Sequence, residues 1–335
     1  MEYLHIQNID IVMDIQLLLD NLTNPALLFF GLGIFASLIK SDLAIPKNSS
    51  KFISLYLMFS IGFKGGQELA HSVFGNEIIW AFIIGIISAA VIPIYTFWIA
   101  KKQFGKYNAA AIAAAYGSIS AVTFLTTVSF LDLQGIAYDG FMVAVMASME
   151  APAIIMGVIL LAIFSKTSST KVNLGATIKH SLRNGSVILL IGSLLIGFLA
   201  SDEQAAGIEP FTTDIFKGFL AVFLLDMGLS SGKHLKTFKS NGWSALIFAM
   251  LIPLFNGSLV ALIAPYFLES TGNCLLISIL VASASYIAVP AAMRLSVPEA
   301  NPGLYLPMAL AITFPFNITF GIPIYLGIIE YFKFL

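Results

Sequence analysis

Charge is what this sequence has least of. Asp, Glu, Lys and Arg make up 10% of the 335 residues, where soluble domains carry about 25%. The apolar share is 58% and the mean hydropathy is +0.92, so the expected class is a polytopic membrane protein. A formal net charge of −1 leaves no basic face for nucleic acid. The single cysteine, Cys274, excludes an intrachain disulfide and a cysteine-based metal cluster. His5, His71, His180 and His234 are scattered without metal-ligand spacing, so no transition metal is expected. The chain has no HExxH, no Walker A and no GxSxG in a strand–turn–helix setting. No segment is long enough for a nucleotide-hydrolysing domain, and no enzyme and no organic cofactor are expected. Residues 1–24 lack Lys and Arg, which argues against a secretory signal. The stretch IDIVMDIQLLLD (9–20) is too short and acidic to span. Residues 1–24 therefore read as an interfacial segment.

What is present is a series of long apolar runs. A crossing needs roughly 20 apolar residues, and ten stretches qualify: 25–40, 51–66, 78–100, 109–130, 140–164, 186–200, 211–231, 241–267, 274–293 and 303–330. The charges support the count. Loops after odd-numbered spans hold Lys40, Lys47, Lys51, Lys101, Lys102, Lys106, Lys166, Lys171, Lys179, Arg183, Lys233, Lys236, Lys239 and Arg294, 14 of the 17 basic residues. The other side collects Asp10, Asp14, Asp20, Glu68, Glu77, Asp132, Asp139, Asp202, Glu203, Glu209 and Glu269. Basic loops stay cytoplasmic, so both termini are expected outside. The polar linker 165–185 is expected inside.

That linker divides the spans five and five, residues 25–164 and 186–335. The halves resemble each other. LMFSIGFKGGQEL (57–69) aligns with FLLDMGLSSGKHL (223–235), AYGSISAV (115–122) with ASASYIAV (282–289), and GFMVAVMASMEAP (140–152) with GLYLPMALAITFP (303–315). The offsets, 166, 167 and 163, are in order and nearly constant. An odd number of spans per half inverts the second copy. The expected fold is all-α, with ten transmembrane helices as two inverted five-helix repeats. Inverted repeats are a mark of secondary transporters, which place their site near mid-membrane at broken helices.

The matching breaks are expected in spans 4 and 9, at YGSISAVT (116–123) and SASYIAVP (283–290). Open backbone is tolerated at that depth only inside protein or along a cavity. Freed N–H groups at a helix start suit an anion, while freed carbonyls with Ser118, Ser120, Thr123, Ser283 and Ser285 suit Na+. Close helix packing is the competing reading of such small residues. Glu150, eleven residues into span 5, is the conspicuous carboxylate; its roles are cation ligand, proton carrier or buried structural partner. Its counterpart in the second half is Thr313. Asp226 reads as structural or gating, Lys64 as a side chain snorkelling outward, and Asn317 as a site member or a bridge between helices.

Taken in order, IGFKGG (61–66), GSIS (117–120), MEAPA (149–153), VPEANPGLY (297–305) and FPFNITFGIP (314–323) resemble the sodium-dependent bicarbonate transporter family. The resemblance covers about 25–330. It implies a core of spans 3–5 and 8–10, a scaffold of spans 1, 2, 6 and 7, and elevator-type alternating access. It further implies a homotrimer in the bacterial inner membrane, importing bicarbonate with Na+ and closed from the cytoplasm by a PII-like protein. Carried onto this sequence, bicarbonate would lie at Gly117, Ser118, Ile119 and Ser120 and at Ser283, Ala284, Ser285, Tyr286, Ile287 and Ala288. The Na+ ligands would come from Glu150, Ser118, Thr123, Ser285, Thr313 and Asn317. The ninth-span motif departs from the family: SASYIAVPA stands where the family has SSSDISGPP, putting Tyr286 in place of an aspartate and Val289 in place of a glycine. Two alternatives remain beside bicarbonate import. One is a Na+- or H+-coupled symporter or exchanger for another small anion or carboxylate. The other is a membrane anion sensor that does not transport.

Overall fold

A computed structural model of the chain describes residues 23–71, 75–164, 183, 185–238 and 242–333. The interfacial segment expected over 1–24 and the linker expected over 165–185 lie outside the described residues, apart from 23, 24, 183 and 185. Among the described residues the structure is all-helical. Five stretches are long and apolar enough to cross a membrane: Asn76–Gln134, Phe141–Phe164, Pro210–His234, Gly242–Tyr266 and Pro302–Lys333. Pro25–Leu38, Val187–Leu199 and Thr271–Ala282 are apolar but shorter. Ten crossings are therefore not reached by length and composition alone.

The chain opens with α1 (Pro25–Leu38), started by Asn24, whose side chain accepts the Ala26 N–H at 2.9 Å. Next come α2 (Lys47–His71) and α3 (Asn76–Gly117). The loop expected between spans 3 and 4 is reduced to one kink in α3. There Gly105 takes φ 77° and ψ 164°, a left-handed backbone that glycine adopts without a Cβ penalty. After a break come α4 (Ala121–Gln134) and α5 (Phe141–Phe164). The second half contains α6 (Gly185–Leu199), the short α7 (Asp202–Ala206), α8 (Phe216–Phe238) and α9 (Gly242–Ile263). It ends with α10 (Thr271–Ala282), a second break, α11 (Ala288–Ser296) and α12 (Pro302–Lys333), whose course contains π turns at Met308–Thr313 and Asn317–Gly321.

The two halves make matching contacts. α1 packs along α8, and α2 packs along α6. Both contacts are helix on backbone, because glycine removes the side chain at the crossing. A Cβ on Gly228 would fall on the Phe30 carbonyl, and one on Gly62 would fall on Ser193 and the Leu190 carbonyl. Small residues of this kind let membrane helices approach closely. These are two of the glycines paired in the sequence alignment.

A second matching pair ties the two halves to each other. Asn273 accepts the Asp139 N–H at 2.9 Å, just before α5, and its amide donates to Asp139 (2.6 Å) and Glu77 (2.9 Å). Asn108 accepts the Asn301 N–H at 2.8 Å, just before α12. Asn108 and Asn273 lie 165 positions apart, the alignment offset within two residues.

The middle of the molecule is α10 and the second arm of α3. Gly272–Ala282 and Ala109–Gly117 are buried without exception. They lead into the two breaks, so tertiary packing holds both breaks in the interior. Asp226 accepts from Ser50 Oγ at 2.5 Å, joining α8 to α2. Lys64 does not simply snorkel outward. Its ammonium lies 3.8 Å from Glu68, 3.9 Å from Asp132 and 3.5 Å from the Tyr138 hydroxyl. Burial, then the charges of Glu68 and Asp132, push the Tyr138 phenol above its usual pKa. Lys64, Glu68, His71, Asp139, Asp202 and Glu209 share an open basin of about 690 Å3. Acidic loops expected on one side thus meet at one end.

Candidate functional site

The first break runs Gly117–Ser120. Ser118 is extended (φ −88°, ψ −178°) and ends α3, and Ser120 (φ −111°, ψ 107°) starts α4. The second break follows Ala282, with Ser283 extended at φ −84° and ψ 171°. Ser and Gly break the helix here because a short hydroxyl competes for backbone hydrogen bonds and glycine gains little from the helix. The two breaks then complete each other. Ser120 N–H donates to Ser283 Oγ at 2.9 Å, and Ser285 N–H donates to the Ala115 carbonyl at 2.8 Å. The Ala282 carbonyl, freed at the end of α10, is taken by the Asn317 amide at 2.8 Å.

Beside this crossing lies a cavity. Ile119, Ser120 and Ala121 line it from the first break, and Ser285, Tyr286, Ile287 and Ala288 from the second. Met146, Ala147 and Glu150 of α5 form another wall, and Met58 of α2 with Val187 and Leu190 of α6 close it. Its room is about 40 Å3, measured to the centre of a water-sized sphere. One water needs roughly 10–15 Å3 on that measure, so the cavity takes a few waters or one small polyatomic ion. A sugar or a dicarboxylate does not fit in this conformation.

Glu150 is the sole carboxylate on the cavity wall and is half-buried. Among the described residues its carboxylate makes no ion pair. A carboxylate near mid-membrane costs roughly 2.5–3.5 kcal/mol on insertion scales, and among the described residues no cation offsets this one. Three buried hydroxyls at the breaks, Ser118 Oγ, Thr123 Oγ1 and Tyr286 Oη, also lack a partner at hydrogen-bonding geometry; the Tyr286 hydroxyl has the Ser120 side chain beside it. Of these three, Tyr286 shares the cavity with Glu150, and an unmet hydroxyl beside a lone carboxylate can coordinate a cation.

The two helix starts differ. The Ser120 hydroxyl accepts the Thr123 N–H at 3.2 Å and so caps α4. At α11 the corresponding residue is Ile287, which has no side-chain cap to give. A helix N-terminus carries roughly half a positive charge on its free N–H groups. The uncapped start of α11, with Ile287 and Ala288 on the cavity wall, is thus the better seat for an anion.

Of the residues expected at the site, Ile119, Ser120, Glu150, Ser285, Tyr286, Ile287 and Ala288 meet on one cavity. Gly117, Ser118, Thr123, Ser283 and Ala284 form the buried breaks behind it. Thr313 and Asn317 are buried and engaged elsewhere. Thr313 donates to the Ala249 carbonyl (2.7 Å) and lies 2.9 Å from the Tyr116 hydroxyl. Asn317 holds the Ala282 carbonyl and accepts from Tyr325 at 3.3 Å. The apolar wall of Met58, Val187 and Leu190 was not among the expected residues. Nothing in its local sequence marks it, because it lines the cavity only through the packing of α2 and α6 against α5.

Residues 25–330 match the profile of a family described as the Na+-dependent bicarbonate transporter superfamily. No curated protein matches the chain.

Proposed function

Because the chain belongs to the Na+-dependent bicarbonate transporter superfamily, we propose that it is a membrane carrier that takes up bicarbonate together with Na+ through the cavity at the two helix breaks. The carrying observation is that one unpaired carboxylate, Glu150, shares a cavity the size of a small ion with the uncapped start of α11. Na+ held by Glu150 and the neighbouring hydroxyls neutralises the carboxylate. The bicarbonate anion then docks against the α11 N–H groups without facing a bare negative charge. Each ion lowers the cost of binding the other, which is the thermodynamic content of coupling.

In this reading the chain crosses the bacterial inner membrane ten times as two inverted five-helix repeats, with both termini outside. Support comes from the matched contacts of α1 with α8 and α2 with α6, and from the Asn108 and Asn273 clasps. The core is α3–α5 with α9–α12, and α1, α2, α6 and α8 are the scaffold. The cavity lies between them, with Met58, Val187 and Leu190 on the scaffold side. Rigid movement of the core along that apolar wall gives alternating access of the elevator type. A homotrimer and a PII-like regulator complete the proposal.

A second reading keeps the anion and changes the coupling ion to a proton. Tyr286 at the cavity, where the family pattern has an aspartate, favours it, since Glu150 is then the sole ionised ligand for Na+. The test is uptake of labelled bicarbonate into proteoliposomes at fixed pH, under an inward Na+ gradient or an equal K+ gradient. Accumulation with Na+ alone supports the first reading. Accumulation that ignores Na+ and follows an imposed pH gradient replaces it with the second. Saturable binding without accumulation replaces both with an anion sensor.

A further inference from the structure

Glu150 also lines a second cavity. It runs between α5 and α6 and holds about 300 Å3. On α6 its wall is Val187, Leu190, Ile191 and Leu194. On α5 the wall is valine and alanine, apart from Glu150 and from Ser148, whose hydroxyl is committed to the Val145 carbonyl at 2.7 Å. From Val187 to Leu194 is about 10 Å of helix at 1.5 Å per residue. Ile191 is 44% exposed, so the cavity is open along its α6 rim. Among the described residues the slot carries a single carboxylate and no other ionisable group.

That chemistry selects its ligand. An anion is repelled by Glu150. A polyhydroxylated solute finds only Glu150 and the lone pairs of Ser148 Oγ to bond along the slot. A plain hydrocarbon tail fills the slot and leaves the carboxylate unpaired. We propose that the α5–α6 crevice is a binding site for primary alkylammonium ions, with the ammonium against Glu150 and the tail along Leu190, Ile191 and Leu194. Among the described residues the carboxylate makes no ion pair, so the ammonium is its first charged partner. Its attraction to Glu150 is strengthened by the low dielectric. Each methylene buried in the slot adds affinity through the area it removes from water. Glu150 belongs to both cavities, so an alkylammonium excludes any cation bound there. That consequence, unlike the site itself, rests on the proposed function.

The experiment uses the purified full chain in detergent, at fixed pH and ionic strength. The rise in unfolding midpoint is followed against concentration of octylammonium chloride, butylammonium chloride and octanol. Octylammonium is expected to bind at least tenfold more tightly than either control. Glu150→Gln removes the preference for octylammonium over octanol. Leu194→Trp, which fills the slot beyond Glu150, removes the preference for octyl over butyl chains. Equal binding of octylammonium and octanol overturns the proposal and makes the crevice a lipid-tail groove. Unchanged octylammonium binding by Glu150→Gln overturns it as well. Should Leu194→Trp fail to fold, these two comparisons still decide. A separate titration with Na+ keeps the two readings apart. Octylammonium binding that Na+ does not weaken leaves the crevice site standing and removes Na+ from Glu150.

Discussion

Replacing Glu150 by glutamine tests two opposed consequences of one structural fact. The carboxylate lies on a cavity wall otherwise made of apolar and hydroxyl groups, and among the described residues it has no ion pair. Charge at that depth costs roughly 2.5–3.5 kcal/mol. The neutral amide has nearly the same shape, so Glu150→Gln should recover part of that cost and unfold at or above the wild-type temperature. For Na+ the sign reverses. A unit charge pair at about 4 Å in an effective dielectric of about 20 is worth about 4 kcal/mol. The amide oxygen still coordinates, so about half of that is lost, and about 2 kcal/mol is roughly a 30-fold rise in half-saturating Na+. The assay is bicarbonate uptake against Na+ concentration in proteoliposomes, with melting curves on the same preparations. A variant that melts lower and transports with unchanged Na+ dependence would refute the reasoning. Glu150 would then be a structural residue with a partner that the fold does not reveal.

Two further substitutions separate the anion seat from the framework. Ile287→Ser offers α11 the cap it lacks, with the Val289 N–H as its donor because the third residue of the helix is Pro290; a cap stabilises a helix by about 1 kcal/mol. The new hydroxyl competes with the anion for the same N–H groups, so half-saturating bicarbonate should rise about fivefold while half-saturating Na+ stays unchanged; an unchanged bicarbonate curve places the anion elsewhere. Asn317→Leu keeps the side-chain volume but orphans the Ala282 carbonyl, while Tyr325 retains its bond to the Pro253 carbonyl at 3.0 Å. Leaving one buried acceptor unmet costs about 1–3 kcal/mol. A lower unfolding midpoint is therefore expected, and an unaltered one would mean that water reaches the carbonyl.

The breaks were legible because their cause is local. Gly117, Ser118 and Ser120 weaken a helix wherever they occur, and Ser283 and Ser285 do the same in the second half. Glu150 was legible because a carboxylate in an apolar run is costly in any membrane fold. Asn317 was readable as a site member or a bridge between helices, and only packing shows its partners, the Ala282 carbonyl at the second break and Tyr325. Lys64 does reach the open basin, as a snorkelling side chain would, but Asp132 of α4 and Tyr138, distant in sequence, stand beside its ammonium there, and no local signal marks them. Asn108 and Asn273 were overlooked, although their 165-residue spacing repeats the alignment offset.

Composition and apolar runs by themselves determined a helical membrane protein, because hydrophobicity and helix breaking are properties of short stretches. The motifs in order pointed to a family that the matched profile then bore out. Only the tertiary structure decided that the two breaks cross, that Glu150 opens onto the same cavity as the uncapped start of α11, and that Val187 and Leu190 close it. Each of these depends on side chains that come from separate helices, and packing geometry alone brings those together.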